Sequence, residues 1–355
     1  MASQTGTTRR LRVDSQQPQL DVIAEAAAVL RAGGLVAFPT ETVYGLGANA
    51  LDPQAVAGIF RAKERPAYDP LIVHLAAADR LPSVASTIPE IAWVLAEAFW
   101  PGPLTIILDR GEAIPDEVTA GGPTVAVRVP AHPVARALIA AAGVPVAAPS
   151  ANRFGRVSPT SAGHVLADLD GRIDMVLDGG ATTVGVESTV LAIQGNTPTI
   201  LRPGGVDRES LERLLGSVDL EVRQAIEPAS LRSPGTTIEH YAPRARTTLY
   251  RGERLVVLAQ IRAEVLTCVA DGVSVGVLVA DEDLSVLGDL PAVCGSVGSM
   301  TSMTEIAREL FATLRDLDVA GVDVILARDF GPLGLGLAIR DRLTRAAAGR
   351  VIHVS

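Results

Sequence analysis

The chain of 355 residues has a formal net charge of −9 and is 48% hydrophobic, 20% charged and 3% aromatic. That balance excludes an intrinsically disordered chain and a protein that adheres broadly to nucleic acid, and the length points to two domains rather than one core. With so few aromatic residues the cores must be built from Val, Leu, Ile and Ala, a mix suited to buried parallel or mixed sheets covered by helices.

Residues 1 to 18 read as a polar tail. Leu20, Ile23, Ala27 and Leu30 then recur at helical spacing, and Gly33-Gly34 stops the helix. LVAF (35–38) follows as a short buried strand, after which the chain breaks into PTETVYGLGANA. A second helix over about 53–62 carries Lys63 and Arg65 at or just past its end, before Pro66 enforces the stop. LIVHL (71–75), LTIIL (104–108), TVAVRV (124–129), VPVAA (144–148), DMVLD (174–178) and STVLAI (188–193) are strand candidates with helices between several of them. TILRPGG and a helix over 207–215 close the series. Some connections are too short for helical crossovers, so the expected sheet is mixed, in a large α/β domain over 18–216.

Residues 217–243 have turn formers and charges but no sustained period, and are read as a linker long enough to be functional or disordered. Beyond it, VSVGVLVA (273–280), a helix near 304–317, VDVILARD (322–329) and a helix near 337–347 make a smaller α/β unit over 244–355. Cys268 and Cys294, the two cysteines, lie in no CxxC pair, which argues against a disulfide framework or a structural zinc site. No signal-peptide-like segment opens the sequence, and no apolar run reaches the length of about 18 residues needed to span a bilayer, so a cytoplasmic location without membrane contact is expected.

Lys63 is the only lysine beside 30 arginines. It is either a chance survivor on a helix surface or a compact charge kept where a planar guanidinium cannot approach. Thr40 and Thr42 are two apart, so in an extended segment both hydroxyls point to one side. In APSANRFGRVSPTSAG, Ser150, Asn152 and Ser158 follow a strand, Gly155 permits a tight turn, and Ser158-Pro159 reads as an N-cap with the favoured first helical residue. Arg128, inside the apolar TVAVRVP, needs a carboxylate partner, supplied by the chain or by a ligand. His74 in LIVHL is open between a hydrogen-bonded core residue and a site residue. Ser188, Thr189 and Arg202 again stand beside strand ends. Together these residues suggest an anion-binding cleft of Lys63, Arg65, Arg128 and Arg202, rich in hydroxyls and poor in acids, bases and nucleophiles. That inventory suits phosphate chemistry run by positioning and charge neutralisation.

The ordered set PTETVYGLG, KERPAYDPLIVHL, FWPGPLTIIL, VAVRVP, PSANRFGRVSPT, ESTVL and LRPGG resembles the YrdC-like domain of threonylcarbamoyl-AMP synthases. SPGTTIEHYAP and the later α/β unit resemble the long, two-domain form of that family. The resemblance implies a large twisted mixed sheet with helices, joined by a linker to a smaller Rossmann-like α/β domain. The implied reaction is that of a nucleotidyltransferase: L-threonine, bicarbonate and ATP give L-threonylcarbamoyl-AMP and pyrophosphate, for tRNA modification by a threonylcarbamoyl transferase machinery.

By the same resemblance Lys63 and Arg65 hold ATP phosphates, with Mg²⁺ sharing the charge. Asp69, Thr124, Ser150, Asn152, Ser158 and Arg202 fall at nucleotide positions, and Tyr241 falls where the linker folds back as a lid. Thr40 or Thr42, His74, Arg128, Ala148 and Ser188 form the threonine pocket, with Arg128 on the amino acid carboxylate. Asp69 departs from the family's usual neutral or basic side chain, and an acid there repels phosphate unless it faces Mg²⁺ or an arginine. Two other readings are a carbamoyltransferase, for which the cysteine-rich zinc segments are missing, and a double-stranded-RNA or tRNA-binding module. Arg61, Lys63, Arg65, Arg153 and Arg156 leave weak RNA binding open.

Overall fold

In the computed structural model, which describes residues 7–193, 198–221 and 241–355, the chain divides into two units, each with its own sheet. The first takes in the described residues up to 221 except 155–157 and 184–186, which belong to the second with everything from 241 onward.

The strands of the first unit are β1 (Arg9–Arg12), β2 (Val36–Phe38), β3 (Gly45–Asn49), β4 (Ile72–His74), β5 (Ala85–Thr87), β6 (Leu104–Arg110), β7 (Thr124–Arg128), β8 (Val146–Ala147), β9 (Met175–Asp178), β10 (Thr189–Ala192), β11 (Thr199–Arg202) and β12 (Asp219–Leu220). They form one mixed sheet in the order β1-β9-β2-β3-β8-β4-β7-β6-β10-β11-β12, with β5 beside β6. The expected mixed α/β sheet is therefore present. Two details differ from the sequence reading. The polar tail contributes β1, which runs parallel to β9 and gains backbone partners there despite its arginines. The first residues assigned to the linker join the sheet as β12, beside buried Val218.

The helices are α1 (Leu20–Arg31), α2 (Pro53–Lys63), α3 (Glu90–Phe99), α4 (Asp116–Thr119), α5 (Pro133–Ala142), α6 (Ala162–Leu169) and α7 (Arg208–Leu215). Ile23, Ala26, Ala27 and Leu30 make the buried stripe of α1, while Leu20 is 81% exposed. Asp52 caps α2 by accepting from the amides of Gln54 and Ala55, Pro53 fills its first turn, and Glu64 ends it at φ 55°. The stop thus falls two residues before Pro66, and Lys63 is the last helical residue.

Helices α1 and α5 share one core with Phe38, Val146, Ala148, Met175 and Leu177. A larger core on the other face joins residues of α2, α3 and α6 to Val73, Val125 and Val127. Since successive side chains alternate across a strand, Thr124, Ala126 and Arg128 of β7 turn away from that larger core. On their face Ile72, Ile107, Ala126 and Val190, with Leu201, form a separate small apolar patch that contains no helix residue. The floor of the candidate site is this stretch of sheet, whose Ile72, Ile107, Ala126 and Val190 are themselves buried.

The second unit contains β13 (Arg246–Gly252), α8 (Arg254–Ala270), β14 (Val275–Val279), α9 (Leu284–Leu287), β15 (Val293–Ser296), α10 (Met303–Val319), β16 (Val324–Arg328), α11 (Gly336–Ala346) and β17 (Val351–Val354). All of its pairings are parallel, in the order β15-β14-β16-β13-β17. It is Rossmann-like as a parallel sheet wound with helices, with β16 set between β13 and β14. The sequence reading does not name β13, α8, α9, β15 and β17: Arg and Thr interrupt the apolar pattern of β13, and α9, β15 and β17 are only four residues long. Among the described residues no helix is long and apolar enough to cross a membrane.

Candidate active site

The threonine pair forms as the alternation argument requires. Thr40 Oγ1 and Thr42 Oγ1 lie 2.8 Å apart, and Thr40 also donates to the Val43 carbonyl at 2.6 Å while accepting from the amides of Thr42 and Val43. Thr40 therefore shapes the loop, and Thr42 faces outward from it to Arg128. The Arg128 guanidinium donates to Thr42 Oγ1 at 2.9 Å, to Glu41 Oε1 at 2.6 Å and to the Gly102 carbonyl at 3.1 Å. Glu41 in turn accepts the Ala131 amide through its second oxygen. The carboxylate that Arg128 needs thus comes from the chain, from a residue the sequence reading passes over between the two threonines it singles out. Each of the three nitrogens uses one N–H, so Nη1 and Nη2 each keep a second donor.

His74 pairs with Arg128 across β4 and β7. Its Nδ1 lies 3.2 Å from the Ile72 carbonyl, and its ring meets Phe38 edge-on. Burial first, and the nearby Arg128 charge second, push the imidazole down to about 3. His74 is therefore a neutral wall and hydrogen-bonding group rather than a proton shuttle. Because the folded value lies below the ordinary 6.5, the unfolded chain takes up this proton first. The stability His74 contributes is complete above the ordinary value and is lost as pH falls toward about 3. Imidazole NMR signals of His74 are expected to stay fixed from about pH 8 to about pH 5; a midpoint near its ordinary value would contradict this burial.

Register continues the row across the sheet. Ile106 opposite Val127 brings Thr105 to the level of Arg128, and Thr105 pairs with Val190, which pairs with Arg202. Thr105 Oγ1 is 2.7 Å from Ser188 Oγ, and Arg202 donates to the Ser188 carbonyl at 2.9 Å and to its hydroxyl at 3.2 Å. Sequence reasoning misses Thr105, although a hydroxyl inside the apolar LTIIL was a signal. Ser158 Oγ donates to Glu187 Oε1 at 2.5 Å. The expectation that Ser158 caps a helix is corrected: α6 starts at Ala162, and Ser161 caps it by accepting the His164 amide. Thr160 and Ser161 form a bend, Ser161 with extended φ and ψ, before the helix begins, which moves the cap downstream.

Lys63 is 1% exposed, and its ammonium donates to the carbonyls of Ser150, at 2.5 Å, and Asn152. The surface-survivor reading is thereby excluded. A buried ammonium needs acceptors, and here they come from the segment after β8, itself laid beside β3 through the Gly45–Ser150 bridge. Asn152 is buried, and its side-chain amide donates to the Arg153 carbonyl. Ala148 sits at the end of β8, its amide bound to the Ile72 carbonyl.

Arg65 and Asp69 form a buried pair at 2.8 Å, with Arg65 also donating to the carbonyls of Asp69 and Pro70. Asp69 thus faces an arginine, one of the two conditions set for an acid at this position. This pair precedes β4, and Thr124 opens the adjacent parallel β7, so both belong to the end of these strands opposite His74 and Arg128. Thr124 and Arg128 are four strand steps apart, about 13 Å. On this sheet face His74, Arg128 and Thr105 therefore stand at one end and Thr124 at the other, with Ile72 and Ala126 of the apolar patch between them. Tyr241 belongs to the second unit, where its ring is stacked 5.5 Å from Phe311 with the Arg342 guanidinium 5.1 Å away. Most of the expected lid falls outside the described residues.

The sequence family described as "Telomere recombination" matches residues 28–204, and that described as "Threonylcarbamoyl-AMP synthase, C-terminal domain" matches 206–348. A threonylcarbamoyl-AMP synthase of Pyrococcus abyssi is 45% identical over 336 residues, covering 93% of this chain and 95% of the relative. One of Bacillus subtilis is 45% identical over 335 residues, covering 93% and 94%. The crystal structure of P. abyssi Sua5 complexed with L-threonine superposes with a TM-score of 0.92 at 43% identity, over 98% of this chain and all of that one.

Proposed function

The chain belongs to the threonylcarbamoyl-AMP synthase family, and from that premise we propose that its sheet face gathers L-threonine, bicarbonate and ATP and releases L-threonylcarbamoyl-AMP and pyrophosphate. The observation that carries this reading is Arg128, held by Glu41 and Thr42 with two N–H groups to spare, at one end of an apolar floor. Those two donors suit an amino acid carboxylate, and Thr42 and Ser188 suit its hydroxyl and amine. The P. abyssi relative complexed with L-threonine supports threonine as the substrate.

The amine and bicarbonate condense to a carbamate with loss of water. A carbamate oxygen then forms a bond to the α-phosphorus while the bond to the pyrophosphate oxygen breaks. A carbamate is already an anionic nucleophile, which fits a site whose one histidine stays neutral and whose carboxylates Glu41, Asp69 and Glu187 are engaged. The task left to the protein is to bring two anions together. Lys63, Arg65 and Arg202 supply the positive field for the phosphates, with Ser150, Asn152, Ser158 and Thr124 as hydroxyl and amide contacts. Mg²⁺ enters as part of the ATP substrate, coordinated by phosphate oxygens and water, since Mg²⁺ commonly keeps several waters. The product passes to a tRNA-modifying threonylcarbamoyl transferase, and a cytoplasmic location fits these substrates.

Pyrophosphate release is expected only when threonine and bicarbonate are both present with ATP, with serine a weak competitor. Release from ATP alone, or equal use of amino acids lacking the hydroxyl, would overturn the reading.

A further inference from the structure

The second unit contains a cavity of about 470 Å³ at the carboxyl ends of its parallel strands. Arg251 and Gly252 close β13, Arg328 closes β16 with Asp329, Phe330 and Gly331 beyond it, and His353 is in β17. Arg254 at the start of α8, Met300 and Met303 at the start of α10, and Arg340 of α11 complete the lining. Ligands of wound parallel sheets settle outside the carboxyl ends of strands, and this volume falls in the range of small-molecule sites.

The charge balance is uneven. Asp283, fully buried beneath the cavity, pairs through one oxygen with Arg254 Nε at 2.7 Å and through the other with Arg328 Nε at 2.6 Å. Asp329 takes Arg340 in a two-point pair. Four guanidinium groups therefore meet three carboxylates, those of Asp283, Asp329 and Glu282, the last held by the Met300 amide near Arg254, and Arg251 forms no ion pair among the described residues. Its terminal nitrogen donates to Thr344 Oγ1 at 2.6 Å, while its buried Nε has no hydrogen-bond partner among them. Nη2 of Arg328 and Nη1 of Arg340 likewise make no hydrogen bond within the described residues. The acids grip these side chains largely by their Nε edges and hold the forks in place. The amides at the starts of α8 and α10 are partly used by Glu253 and Ser302, so the arginines carry the anion-binding capacity. Beside them Met300, Met303 and Phe330 offer an apolar wall.

We infer that this cavity is a second ligand site, for a small molecule that joins a polyphosphate to a flat apolar group, a nucleotide being the matching class. Arginine forks suit phosphate oxygens, and thioether and ring suit a base. The site goes beyond the reaction assigned above and does not depend on it.

The test uses the full chain with methyl-labelled methionine, of which the sequence has four. Titration with ATP is expected to shift the methyl signals of Met300 and Met303, in the parent and equally in Lys63→Ala, and inorganic tripolyphosphate is expected to do so more weakly. Arg251→Ala and the milder Arg251→Gln are expected to raise the apparent Kd read at those methyls at least about tenfold. Methyl signals unmoved by either probe up to about 5 mM would overturn the inference, as would shifts that survive unchanged in both Arg251 variants. A shift with tripolyphosphate as large as with ATP would remove the base-binding half of the claim.

Discussion

Arg128→Ala is expected to raise the KM for threonine and lower kcat/KM by about a thousandfold, on the order of 4 kcal/mol. Two effects combine. The amino acid carboxylate loses its partner, and Glu41, buried beside it, keeps a charge with one neighbour removed. Breaking a buried pair from one side costs roughly 3–5 kcal/mol of stability, so the alanine variant alone confounds folding with binding. Arg128→Lys keeps the charge beside Glu41 but gives up the planar fork. It is expected to fold, to bind ATP nearly as the parent does, and still to lose threonine by about a hundredfold. Steady-state kinetics in each substrate, with a denaturation curve for each variant, separates these outcomes. A parental threonine KM in the Arg128→Lys enzyme would remove Arg128 from substrate recognition.

Lys63→Ala is expected to lower kcat by about a hundred- to a thousandfold, the size found when one preorganised charged donor is lost from a transition state. The ammonium is fixed to the carbonyls of Ser150 and Asn152, so its removal also frees the segment that bears two further residues proposed to contact the nucleotide. Lys63→Arg is not expected to restore activity. A guanidinium is larger and planar, and a site in which Lys63 is 1% exposed has no room for it. Pre-steady-state measurement of pyrophosphate formation checks this directly, and parental turnover in Lys63→Ala would sink the assigned role.

These two positions also show what was legible in the sequence. The isolation of one lysine among 30 arginines marks Lys63 before any fold is known. Arg128 is marked by its place in an apolar strand, which requires a counter-charge without saying where it lies. The partner, Glu41, stands 87 residues away, and no local pattern encodes such a separation. It is nonetheless the one acid within a loop already under suspicion, so the two arguments could have been joined. Thr105 and Glu187 escape for a related reason: each is ordinary in its own segment and acquires a role only when β6 and β10 pair and when Ser158 meets Glu187.

The fold was legible where strands are long and apolar and obscure where they are short. Arg9–Arg12 gives no hydrophobic signal and becomes a strand through its pairing with β9. Ser158-Pro159 has the composition of a helix start, yet the competing hydrogen bond from Ser158 to Glu187 leaves the cap to Ser161. Local propensity proposes such boundaries, and longer-range partners decide among them.

The central claim is that a carbamate made from threonine and bicarbonate attacks the α-phosphorus of ATP on this sheet face. Mass spectrometry of the product formed from bicarbonate labelled with heavy oxygen tests it most directly. The account predicts an adenylate that carries threonine and retains two of the three labelled oxygens, one having left as water. Pyrophosphate formed alongside unlabelled AMP, with no threonine-bearing adenylate, would contradict it.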